Sequence, residues 1–131
     1  MTVLLYNDWR DLAGARLRIA IRHELPGVEV QSFSTLDALA LRLRSTGDQP
    51  VVATVLMPPS ASDLPACINL IPLLSGLKIL LVLPDHVAET IAQGHRLRPS
   101  LVTFSDGDSS RVCAVLGKLV TNSSSASVHL A

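Results

Sequence analysis

The sequence predicts an α/β domain, a parallel sheet with helices on both faces. Three observations carry that prediction. Runs of aliphatic and β-branched residues alternate with stretches whose apolar residues recur every three or four positions, and the connections between them are short. Two of the runs, 51–57 and 77–83, are almost wholly apolar, as strands buried on both faces must be. Five strand and helix pairs then require right-handed parallel crossovers, with successive helices distributed over the two sides.

Residues 2–6 form the first β-rich run, stopped by Asn7-Asp8. Leu12, Ala15, Leu17, Ile19, Ala20 and Leu25 then follow a mostly helical spacing up to Pro26-Gly27. Asp8 is placed to cap that helix, expected to begin near Trp9, because free N–H groups at a helix start need an acceptor. Val28, Val30 and Phe33 have polar residues between them, the pattern of an edge strand. Ser34 or Thr35 can cap a second helix carrying Leu36, Leu39, Ala40 and Leu43, ending near Gly47.

Pro50 opens the third strand and Pro58-Pro59 closes it; seven of the eight residues from Val51 to Pro58 are apolar, and the eighth is Thr54. Adjacent prolines make the following segment a loop. Ser62 or Asp63 can cap a third helix with Pro65 in its first turn, which either kinks at Pro72 or ends early. Ser75-Gly76 turns the chain into the fourth strand, and Pro84-Asp85 leads into a helix through Val87, Ala88, Ile91 and Ala92. The basic loop from His95 to Pro99 precedes a fifth strand, Leu101 to Phe104. Residues 105–109 offer turn and cap chemistry, and Val112, Val115, Leu116, Leu119 and Val120 line a last helix. From Thr121 the chain is serine-rich, so the domain is expected to span 1–121 and residues 122–131 to be a frayed tail or the start of a linker.

At 131 residues the chain fits one domain with a real core. The eleven basic side chains, nine of them arginine, balance eleven acidic ones, so no overall field draws the domain onto nucleic acid or an anionic membrane. Arg16, Arg18, Arg22, His23, Arg42 and Arg44 cluster in the first third and read as solvated helix faces. Cys67 and Cys113 are too few for a disulfide framework or a zinc site and read as reduced, buried thiols of a cytoplasmic protein. No secretory leader is expected, and no run approaches the roughly 20 apolar residues of a membrane helix.

Ligands of parallel sheets gather at the C-terminal strand ends. Here the third strand brings Thr54, a neutral hydroxyl, toward that edge, with Asn7-Asp8, Trp9 and His86 beside it. The order of elements over roughly residues 2–120 resembles the receiver domain of two-component response regulators. The residues that carry the likeness are 3–8, 26–30 before a leucine-rich second helix, and Leu56-Met57-Pro58. The resemblance implies a flavodoxin-like (βα)5 sheet of order 2-1-3-4-5. It also implies an interaction role for the face formed by the helix before the fifth strand, that strand and the last helix.

In the receiver family an aspartate four residues before the proline accepts a phosphoryl group, with Mg²⁺ held by it and by an acidic pair. The positions that match are Thr54 for the acceptor and Asn7-Asp8 for the pair. A hydroxyl residue should close the fourth strand, where Leu83 stands, and a lysine the fifth, where Ser105 stands. The resemblance therefore implies fold and protein contact, with neither catalysis, cofactor nor metal: a degenerate receiver. Thr54 is expected to satisfy a backbone group, and His86 to be exposed in a first turn. Trp9 and the basic loop His95, Arg96 and Arg98 are the candidate interaction residues, for a protein partner or a homodimer. The alternative is a small-molecule or nucleotide-binding α/β domain, although 6–9 lacks the glycines of a phosphate turn. A third reading makes the chain the input domain of a transcription regulator, with an output module beyond its serine-rich end.

Overall fold

The computed structural model describes residues 1–8, 10–45, 51–74, 76–107 and 109–130, with backbone alone for 123–130. The expectations for Trp9, Gly47, Pro50 and Ser75 lie outside the described residues. Five strands alternate with helices: β1 (Thr2–Asn7), α1 (Leu12–Glu24), β2 (Glu29–Phe33), α2 (Leu36–Arg44), β3 (Val51–Met57), α3 (Leu64–Ile68), α4 (Ile71–Leu74), β4 (Lys78–Leu83), α5 (Ala88–His95), β5 (Leu101–Phe104) and α6 (Ser110–Leu130). A 3₁₀ turn at Ala61–Asp63 precedes α3. All strand pairs are parallel, in the order β2-β1-β3-β4-β5. β2 is an edge strand, as its polar alternation predicted, and β3 and β4 are interior.

Period-two alternation divides the core between the sheet's faces. Val3, Leu5, Val55 and Val82 pack with Leu17 and Ile21 of α1 and Leu116 of α6. Leu4, Tyr6, Leu56 and Leu81 pack on the other face with Leu39 of α2, Leu64 and Cys67 of α3, and Leu74 of α4. Each fully buried aliphatic side chain contributes roughly 1.5–3 kcal/mol relative to exposure, so both helical layers are held mainly by the sheet.

The starts of α1 and α2 follow local capping chemistry, whereas Asp63, at the N-cap of α3, makes no side-chain cap bond. α1 begins at Leu12, not near Trp9: the Asp11 carboxylate accepts the Ala13 N–H at 3.0 Å, and the Asp11 N–H donates to the Asp8 carbonyl at 2.8 Å, closing a turn before the helix. Thr35 caps α2 by accepting from Ala38 N–H at 3.1 Å, as expected. The third helix ends early at Ile68 and restarts as α4, with Pro72 in its first turn where the missing N–H is harmless. The helix after β4 starts at Ala88, later than the start read at Pro84-Asp85, because the Asp85 carboxylate holds the Val87 N–H at 3.0 Å and Val87 stays extended. α6 continues through the serine-rich stretch to Leu130.

Gly14 and Gly94 let helices approach the sheet. A Cβ at Gly14 would stand 2.8 Å from Asn7 Cβ, and one at Gly94 2.8 Å from a methyl of Leu81.

Candidate functional site

The strand ends converge because register brings them level. Asn7 of β1 is paired with Met57 of β3, and Leu83 of β4 with Phe104 of β5. Pro58 and Pro84 follow directly and cannot extend the ladders. A crevice of about 270 Å³ lies there, bordered by Asp8, Arg10, Asp11, Met57, Pro59 and Ser105.

Both carboxylates of the crevice are engaged by their own loop. Asp8 Oδ1 accepts the Arg10 N–H at 3.0 Å, and the Arg10 guanidinium stands 3.5 Å from each carboxylate oxygen. The Arg10 backbone hydrogen bond, with help from that guanidinium, lowers the Asp8 pKa below its ordinary 3.8. Asp11 caps α1. Asn7 is buried, its amide donating to the Asp8 carbonyl at 3.3 Å, and Gly14 leaves the space in which it lies.

A hard divalent cation such as Mg²⁺ needs near-octahedral oxygen donors, including one or two carboxylates able to turn toward it. Among the described residues no three His, Cys, Asp or Glu side chains converge. The two nearest carboxylates are tied to N–H groups and a guanidinium, and the third wall of the crevice is the thioether of Met57. These residues do not fit such an ion.

Thr54 is not at the strand end. It pairs with Leu4 and Ile79 in mid-sheet, three residues or roughly 10 Å short of Met57. It is 0% exposed, and its hydroxyl has no hydrogen-bond partner among the described residues, so it satisfies none of their backbone groups. Counting back from the proline failed because β3 keeps pairing with β1 until the residue before Pro58. The residue at the mouth is therefore Met57, whose signal in the sequence was its position directly before the proline that stops the ladder. Asp8 likewise is not the cap of α1. Leu83 closes β4 but is fully buried, and Ser105 borders the crevice, its N–H donating to the Leu83 carbonyl at 2.9 Å.

His86 is exposed, as expected, but it precedes α5 instead of sitting in its first turn, and it is not idle. Its Nε2 meets the Asp106 carboxylate at 2.9 and 3.1 Å, and its ring stacks on Phe104 with centroids 3.8 Å apart, bridging the loops after β4 and β5. Twenty residues separate the partners, so sequence spacing held no signal for the contact. His95, Arg96 and Arg98 lie at the far end of the molecule, where α5 hands over to β5. Leu97 is buried there and turns its three basic neighbours outward, with Arg98 in the left-handed region at φ 51°. Burial pushes the Cys67 thiol up to about 12 and raises that of Cys113, which disfavours the thiolate at both. No described helix is long and apolar enough to cross a membrane.

No family model matches the sequence, and no curated protein does. Solved structures match the fold. One is a response regulator CheY-like protein from Mesorhizobium loti, 16% identical, with a TM-score of 0.66 over 90% of this chain and 97% of its own. Another is a response regulator receiver protein from Pseudoalteromonas atlantica, 11% identical, with a TM-score of 0.71 over 94% and 99%. At such identities the shared property is the fold: five parallel strands in flavodoxin-like order 2-1-3-4-5, as in receiver domains.

Proposed function

We propose that this receiver-fold chain is a non-enzymatic interaction module of bacterial two-component signalling or transcription regulation, cytoplasmic, working by protein contact and without phosphorylation. The observation that carries the reading is Met57 at the end of β3: a thioether accepts no phosphoryl group, and the neighbouring Asp8 is already held by Arg10. A fold alone does not fix function, so the argument rests on these side chains. The contact surface is the basic corner His95, Arg96 and Arg98, outside the crevice and presented by a pinned loop, for a protein partner or a second copy. The domain is taken to occupy 1–121, with the serine-rich 122–131 a tail or linker start, although α6 carries on through it to Leu130.

The test is incubation with acetyl phosphate and Mg²⁺ followed by intact-mass measurement. No added phosphoryl group is expected, and stoichiometric addition would overturn the reading. Light scattering on the same preparation beside an Arg96→Glu/Arg98→Glu variant reports whether the basic corner supports self-association.

A further inference from the structure

Beside the carboxylate crevice, under the loop joining β5 to α6, lies a second hollow of about 360 Å³. Its floor is apolar, from Leu17, Met57, Val82 and Val112, while Arg16, Thr103 and Ser109 stand on its wall. That size and mixture suit a small organic molecule held by an apolar surface and a few placed polar groups.

Two of those polar groups are free. Thr103 is only 8% exposed, yet no hydrogen bond of its hydroxyl occurs among the described residues. Arg16 has no carboxylate within ion-pair distance among the described residues. Among the described residues the one acid on the wall is Asp106, and it is turned to His86. α6 opens at Ser110 on the same side, adding the positive end of a long helix dipole.

We infer that this hollow binds a small organic anion, an apolar body bearing one carboxylate or phosphate. The anion sits between the Arg16 guanidinium and the Thr103 hydroxyl, and the body lies on Leu17, Met57 and Val112. The assignment is independent of whether the neighbouring crevice is ever phosphorylated.

The ¹⁵N-labelled full chain is titrated with phenylacetate, phenyl phosphate and neutral benzyl alcohol, following backbone amide shifts by NMR. At least one anion is expected to saturate at a Kd of about millimolar, typical of so few ligand atoms. The shifts should centre on residues 13–17 and 103–112, and the alcohol should bind about tenfold more weakly, as losing a charge-assisted hydrogen bond implies. The two anions distinguish a carboxylate from a phosphate ligand. Arg16→Gln, on the exposed side of α1, should bring the anion down to the alcohol's level, and the near-isosteric Thr103→Val should weaken the anion several-fold. No saturable shift with either anion, equal binding of the alcohol, indifference to Arg16→Gln, or shifts centred on Asp8 and Arg10 would each overturn the assignment.

Discussion

The two hollows at the C-terminal edge of the sheet share Met57, Val82 and Ser105, and they differ in what their polar groups are already doing. In the crevice over β1 and β3, Asp8 and Asp11 accept backbone N–H groups two residues ahead of themselves, and Arg10 folds back on Asp8. In the hollow under the β5–α6 loop, Arg16 and the Thr103 hydroxyl have no such partners among the described residues. A count of charged residues near a strand end would favour the first as a binding site; the hydrogen bonds favour the second. Availability is set by geometry, since the short acidic loop satisfies itself while Arg16 on α1 and Thr103 on β5 make no hydrogen bond to each other among the described residues.

The most disruptive way to probe this contrast is at Thr54. Thr54→Asp would bury an unpaired carboxylate in mid-sheet, and a loss of roughly 4 kcal/mol or more, enough to abolish cooperative folding, is expected in urea unfolding. A nearly neutral result would place Thr54 on the solvated crevice and move its wall three residues deeper. Thr54→Val, which removes the unpartnered hydroxyl, should instead stabilise by about 1 kcal/mol.

Next in size is Gly14→Ala. The new methyl would meet Cβ and Cγ of Asn7 at 2.8 Å, close to the side chain's backbone attachment, where little can give. Overpacking of this kind costs about 1–3 kcal/mol, measurable as a lower urea midpoint. Because Ala13 lines one hollow and Asp11 the other, the same variant should shift amides on both.

The smallest effect concerns pH. The folded pKa of Asp8 lies below its ordinary 3.8, so its contribution to stability is present above the unfolded value and is lost as pH falls through the folded one. Asp8→Asn should therefore flatten the acid end of the stability profile and leave it unchanged near neutrality in slope. Being exposed, the Asp8–Arg10 pair should also weaken as salt rises. An acid limb identical to that of the parent would show that Arg10 does not hold Asp8 in solution.

Much of the architecture was legible without coordinates. The doubly apolar runs gave β3 and β4 as interior strands, the alternation in 28–33 gave an edge, and Thr35 and the prolines at 65 and 72 marked helix boundaries to within a residue or a turn. The site was legible only in part. Asp8 and Ser105 do border the crevice, but Met57, Arg10 and the hollow around Arg16 and Thr103 were not anticipated, and Thr54 was placed at the mouth when it lies within the sheet.

What the chain alone determined is what depends on neighbours a few positions apart: strand or helix from the period of its apolar residues, turns from its prolines and glycines, and caps from short polar side chains. What only the tertiary structure decided is where each strand stops relative to the next. Inter-strand register sets that, and it carried β3 on to Met57 opposite Asn7. The same packing decides which polar groups meet partners. His86 finds Asp106 twenty residues away, while Arg16 and Thr103, brought to one cavity from opposite ends of the sequence, are left facing it.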